Sequence, residues 1–101
     1  MPTIDYDEYI SEELKDLDYA AGYLTVALEE GEDVFLLAVR NVAKAHGGMK
    51  ALSDSTQLNR ENLYDMLSKE GNPRLSSLST ILNNLGLEIS FKRKLQGTVA
   101  A

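Results

Sequence analysis

The residues with the clearest chemical use lie between Asn59 and Asp65, in the words NRENLYD. An arginine or asparagine side chain can form paired hydrogen bonds to base edges in a DNA major groove. Arg60, Glu61, Tyr64 and Asp65 share one face of a short predicted helix, with Asn62 beside them. A carboxylate at Glu61 or Asp65 could accept from a cytosine amino group or position Arg60; the plain alternative is a surface ion pair. Catalytic constellations are weaker. His46 is the only histidine and stands at a predicted helix end, where it reads as a terminal cap or surface residue. The carboxylate pairs Glu12/Glu13, Asp16/Asp18 and Glu29/Glu30 come without a histidine cluster or metal-ligand spacing. Ser53, Ser55 and Thr56 lack a base partner, and no glycine-rich phosphate loop is present. The chain reads as a binding protein rather than an enzyme, with no metal and no cofactor expected.

These residues need elements that hold them outward. The stretch GMKALSDSTQLNRENLYDML predicts two short helices, roughly 49–56 and 60–67, around the turn Thr56-Gln57-Leu58-Asn59. Leu52 faces inward from the first, and Leu63 and Leu67 from the second. Asn59 suits an N-cap, and Leu58 can pack back into the angle between the helices. Helices this short need a shared core to persist. The layout is that of a helix-turn-helix DNA reader, whose second helix enters the major groove.

The surrounding pattern predicts the supports. Asp16 caps a helix running to Glu30, with Leu17, Ala20, Ala21, Leu24 and Leu28 facing the core and Gly31 as its stop. Asp33 is expected to cap a second helix, 34–46, buried through Phe35, Leu36, Val39, Val42 and Ala43. Arg40 and Lys44 form a basic pair on its other face. A loop is expected around Gly71-Asn72-Pro73, where Gly71 and Asn72 tolerate positive φ and the residue before Pro73 is pushed out of the helical region. Ser76 or Ser77 then caps a last helix to about Leu85, ended by Gly86. Residues 1–15 read as a partly ordered acidic arm attached by its tyrosines. Residues 16–86 form the helical domain and 96–101 a tail. Across 87–95, Leu87, Ile89 and Phe91 alternate with Glu88, Ser90 and Lys92, which predicts a strand. A lone strand needs a partner, expected to be the same strand of a second copy or the arm near Ile4.

Composition sets bounds. The 101 residues suit one domain with one modest core, at 44% hydrophobic and 26% charged. Absence of cysteine removes disulfides and thiolate zinc sites and fits a reducing cytoplasm. The acidic start MPTIDYDEYI is not a secretory signal, and no apolar run is long enough to span a membrane. The net charge of −6 is divided unevenly. Residues 1–33 hold eleven acids and one base, a net −10, and residues 34–101 carry +4. Two surfaces with two partners are implied, although an acidic face can also be a plain solubilising one.

The stretch from Met49 to Leu87 resembles the phage-repressor (Cro/CI, XRE-type) helix-turn-helix, a lambda-repressor-like five-helix fold. The words LNRENLY, EGNPRL and LGLEIS, after an acidic segment ending ALEEGE, resemble the probable addiction-module antidote proteins. These are antitoxins of type II toxin–antitoxin pairs, related to the HigA type; the resemblance covers about residues 5–92. It implies a homodimer that binds its own operator DNA, represses transcription and neutralises a RelE/HigB-like ribonuclease toxin. By position, the base-reading slots fall on Asn59, Arg60, Glu61 and Asp65, and the phosphate slot on Met49 and Lys50. Asn62, Tyr64, Lys69 and Arg74 are further candidate phosphate contacts. Toxin contact is expected from the acidic, tyrosine-bearing region through Tyr6, Glu12, Glu13, Asp16, Tyr19, Tyr23, Glu29 and Glu30. Gln57 replaces the family's turn glycine, Ser53 its usual alanine and Met49 its common glutamine. Two other readings stay open: a phage-type repressor without a toxin, and an interaction module that has lost DNA binding.

Overall fold

The computed structural model describes residues 6–95. They form six helices: α1 (Tyr6–Glu13), α2 (Leu17–Glu30), α3 (Glu32–Ala45), α4 (Gly48–Thr56), α5 (Arg60–Met66) and α6 (Leu75–Asn84). Helix α3 is the centre. It packs against α2, α1 and α4, and α4 in turn packs against α5 and α6. The core runs through Val39 and Val42 of α3, Leu63 of α5 and Ile81 of α6, with Leu14 and Leu67 closing it. Among the described residues no charged or polar residue is buried in it.

Local signals explain most boundaries. The Asp16 carboxylate accepts from the backbone N–H of Asp18 and of Tyr19, satisfying two free donors at the start of α2. Gly31 ends α2, donating to the Ala27 and Leu28 carbonyls, and is also the residue before α3. Three expected boundaries move. Asp33 lies inside the first turn of α3, which begins at Glu32, because the corner at Gly31 takes a single residue. Helix α6 begins at Leu75 behind Arg74 and has no side-chain cap, so Ser76 and Ser77 are helical positions. The acidic arm is a helix from Tyr6, and its attachment is not through its tyrosines. Tyr6 and Tyr9 are exposed, while Leu14 is buried completely and Ile10 packs on the core.

The expected five-helix fold with a C-terminal strand is overturned. There are six helices, and no strand or sheet occurs among the described residues. Residues 87–95 lack regular structure. A strand needs a ladder partner for its backbone groups, and the alternation of apolar residues cannot supply one. Leu87 alone is drawn onto the core, its N–H donating to the Leu82 carbonyl at 2.9 Å, while Phe91 is 94% exposed. Ile4 and the 96–101 tail lie outside the described residues.

The predicted stripe of α2 is also revised. Ala20, Leu24 and Ala27 are buried, but Ala21, Leu17 and Leu28 are exposed. The neighbours of α2 cover one narrow face of it, so its apolar residues exceed what the core can take.

Candidate nucleic-acid and partner surfaces

The pair α4–α5 is built by its turn. Gln57 sits in the left-handed region at φ 66°, ψ 17°, the only non-glycine residue at positive φ among those described. Three hydroxyl contacts stabilise this conformation. Ser53 Oγ donates to the Leu58 carbonyl at 2.6 Å, Thr56 Oγ1 donates to the Leu52 carbonyl, and the Leu58 N–H donates to Thr56 Oγ1. Ser53 thus supplies a bond across the turn that an alanine would lack. Leu58 packs against the core as expected. Asn59 caps α5, its Oδ1 accepting from Glu61 N at 2.8 Å and Asn62 N at 3.2 Å.

Helix α5 has two unlike faces. Leu63 and Leu67 are wholly buried and Met66 partly so. Arg60, Glu61, Asn62, Tyr64 and Asp65 are exposed. Among the described residues Arg60 forms no ion pair, so its guanidinium is not held by Glu61 or Asp65. Lys69 and Arg74 are exposed nearby in sequence, and Lys50 carries an exposed pair with Asp54 at 3.6 Å. Two assigned residues change role. Met49 is a core side chain, 4% exposed, because α4 turns that position towards the interior. Its side chain is therefore not placed to reach a phosphate. Asn59 has committed its oxygen to the cap, so only its amide N–H groups remain to reach a base.

Arg40 was not among the expected site residues. Its Nη2 donates to the Tyr64 carbonyl at 2.9 Å and its guanidinium carbon lies 5.2 Å from the Tyr64 ring centroid. Helix α5 has no basic residue in its own last turn. Arg40, from α3, supplies a cation and a donor where the helix dipole and a free carbonyl favour both. Its Nε is buried without a partner. The i, i+4 pairing of Arg40 and Lys44 drew attention to a surface face instead; a contact 24 residues away leaves no local signal.

The second surface lies across α1, α2 and α3. An open cavity of about 720 Å³ gathers Tyr6, Tyr19 and Tyr23 with Val26, Val34 and Leu37. Asp18 and Glu30 also line it, and no lysine or arginine does. Tyr23 accepts from Asn41 Nδ2 at 3.0 Å, joining α2 to α3 on its floor. Of the expected partner residues, this groove unites the three tyrosines and Glu30. The others lie elsewhere. Glu12 pairs with Lys15 at 2.8 Å, Asp16 is consumed by its cap, and Glu29 lines a separate hollow with Leu28 and Lys92. Glu13 faces Tyr9, whose phenol is raised above its ordinary pKa by a hydrogen bond to that carboxylate and by its charge. His46 ends α3, and its Nε2 donates to the Leu14 carbonyl at 2.8 Å, tying the end of α1 to the centre.

Among the described residues no helix is long and apolar enough to cross a membrane. Neither the curated proteins nor the solved structures gave a match to this chain. A family model described as probable addiction module antidote protein matches residues 4–93, which takes in all six helices and both surfaces. The chain belongs to the family of probable addiction module antidote proteins.

Proposed function

We propose that this protein is the antitoxin of a type II module, acting in the cytoplasm as a homodimer and as a binding protein rather than an enzyme. It neutralises a RelE/HigB-like ribonuclease through its acidic first third, and it represses its own operon through α5. The observation that carries the reading is the family match over residues 4–93 together with the charge division, −10 before residue 34 and +4 after it. The exposed polar face of α5, backed by buried Leu63 and Leu67, supports insertion into a major groove. A dimer would set two such helices about 34 Å apart, one turn of DNA, or a multiple of it.

Gel shifts on the operon's own promoter, at two salt concentrations, test the DNA half. Lys50, Arg60, Lys69 and Arg74 from two protomers would give up to about eight phosphate or base contacts, and affinity should fall about 10⁴-fold between about 50 and 200 mM salt. Arg60→Gln should relax sequence preference and cost about 1–3 kcal/mol. No shift at either salt concentration would favour an interaction module without DNA binding, the reading that Glu61 and Asp65 on α5 support. Charge reversal at Asp18, Glu29 and Glu30 should weaken toxin binding and leave operator binding intact.

A further inference from the structure

The groove over α2 and α3 contains a residue that the chain's own fold does not require. Gly22 is the sixth residue of the 14-residue α2 and lines the groove. Glycine destabilises a helix interior relative to alanine. Its backbone is not in the left-handed region, and a Cβ built there would meet nothing within 4 Å. Neither backbone geometry nor internal packing therefore accounts for it. What a missing Cβ allows is close approach by another backbone.

We infer that this groove is the docking site for an amphipathic, basic helix of the partner toxin, crossing α2 at Gly22. The inference rests on the antitoxin reading and specifies where and how the partner binds. From Asp18 to Glu30 the groove follows thirteen residues of α2, twelve rises or about 18 Å, which matches about three turns of a docked helix. Val26, Val34 and Leu37 remain 53%, 37% and 37% exposed and form the apolar bed. An apolar helix face laid into such a bed is a common mode of recognition. Asp18 and Glu30 stand near opposite ends of α2, and the lining holds no cation to neutralise them, so the occupant carries lysine or arginine at both ends. The same charge disfavours a second copy of this chain as occupant. A two-fold interface here would set two surfaces rich in acids against each other.

The test titrates the full chain with the purified toxin of its own module by calorimetry and records melting curves for each variant. Gly22→Ala should raise the melting temperature by about 4–8 °C, since it restores helix propensity without a clash. The same variant should bind toxin about tenfold more weakly or worse, as should Leu37→Ala. Leu75→Ala, at an exposed apolar position on α6, should bind as the parent does. A more stable Gly22→Ala chain with parental toxin affinity would overturn the groove assignment and leave the antitoxin reading standing. A fall in melting temperature would overturn the premise that the glycine is surplus to the fold. A change in self-association in the ultracentrifuge, without toxin, would assign the groove to a second copy and overturn the proposal. No binding of toxin by the parent chain would instead refute the antitoxin reading on which it rests.

Discussion

Arg40→Met keeps most of the aliphatic stem and removes the guanidinium that α5 borrows from α3. Three contributions disappear. The hydrogen bond from a charged donor to the Tyr64 carbonyl, at 2.9 Å but partly exposed, stabilises by about 1.5 kcal/mol. The cation over the half-exposed Tyr64 ring adds about 0.5 kcal/mol. A positive charge at the C-terminal end of a helix adds about 0.5 kcal/mol. One cost disappears with them, because Arg40 Nε is buried and unpartnered, and its desolvation is worth about 1 kcal/mol. The net loss is about 1.5 kcal/mol, or about 6–12 °C in melting temperature for a domain of this size. Thermal denaturation by circular dichroism gives the global value. Hydrogen exchange at the amide of Leu67, which bonds the Leu63 carbonyl at 3.0 Å, reports on the end of α5 itself. Arg40→Lys should fall between the two, keeping charge but losing the planar fork. If Arg40→Met melts within about 1 °C of the parent, and Leu67 exchanges no faster, the assigned role of Arg40 is refuted.

Three further outcomes follow from local geometry. Asn59→Ala removes the acceptor for Glu61 N and Asn62 N, so chemical denaturation should show a loss of about 1 kcal/mol, and Asn59→Ser should recover most of it. A Cβ at Gly71 would overlap the Met66 carbonyl oxygen and lie 2.8 Å from that of Asp65; Gly71→Ala should cost about 2 kcal/mol or more by the same measurement. Tyr9 should deprotonate at a higher pH than an isolated tyrosine in an ultraviolet titration, and Glu13→Gln should remove most of the difference. Because its folded pKa is raised, the Tyr9–Glu13 contact helps α1 below the ordinary phenol range, and that help is lost as pH rises through the raised value.

What the sequence alone determined were features set by neighbours three or four residues apart. The cap at Asp16, the stop at Gly31, the turn between α4 and α5 and its cap at Asn59 all depend on backbone groups a single turn away. The inward placement of Leu63 and Leu67 and the outward placement of Arg60 follow from the same periodicity. The division of charge was likewise legible, since it needs only a count along the chain. Tertiary structure decided what depends on which elements meet. Met49 reads as a phosphate slot by position, but the packing of α4 sends it into the core. Gly71 reads as a loop residue that tolerates positive φ, yet its φ is not positive and its role is to leave room for the end of α5. The alternation after Leu87 is genuine, but a strand is a property of two segments and no second one meets it among the described residues. Leu17, Ala21 and Leu28 read as core from their spacing but are left uncovered once the helices pack, and the groove is lined by their neighbours Tyr19, Gly22, Tyr23 and Val26. The roles of Arg40 and Gly22 carried no local signal, because the contact of one spans 24 residues and the space beside the other exists only once α2 and α3 have packed.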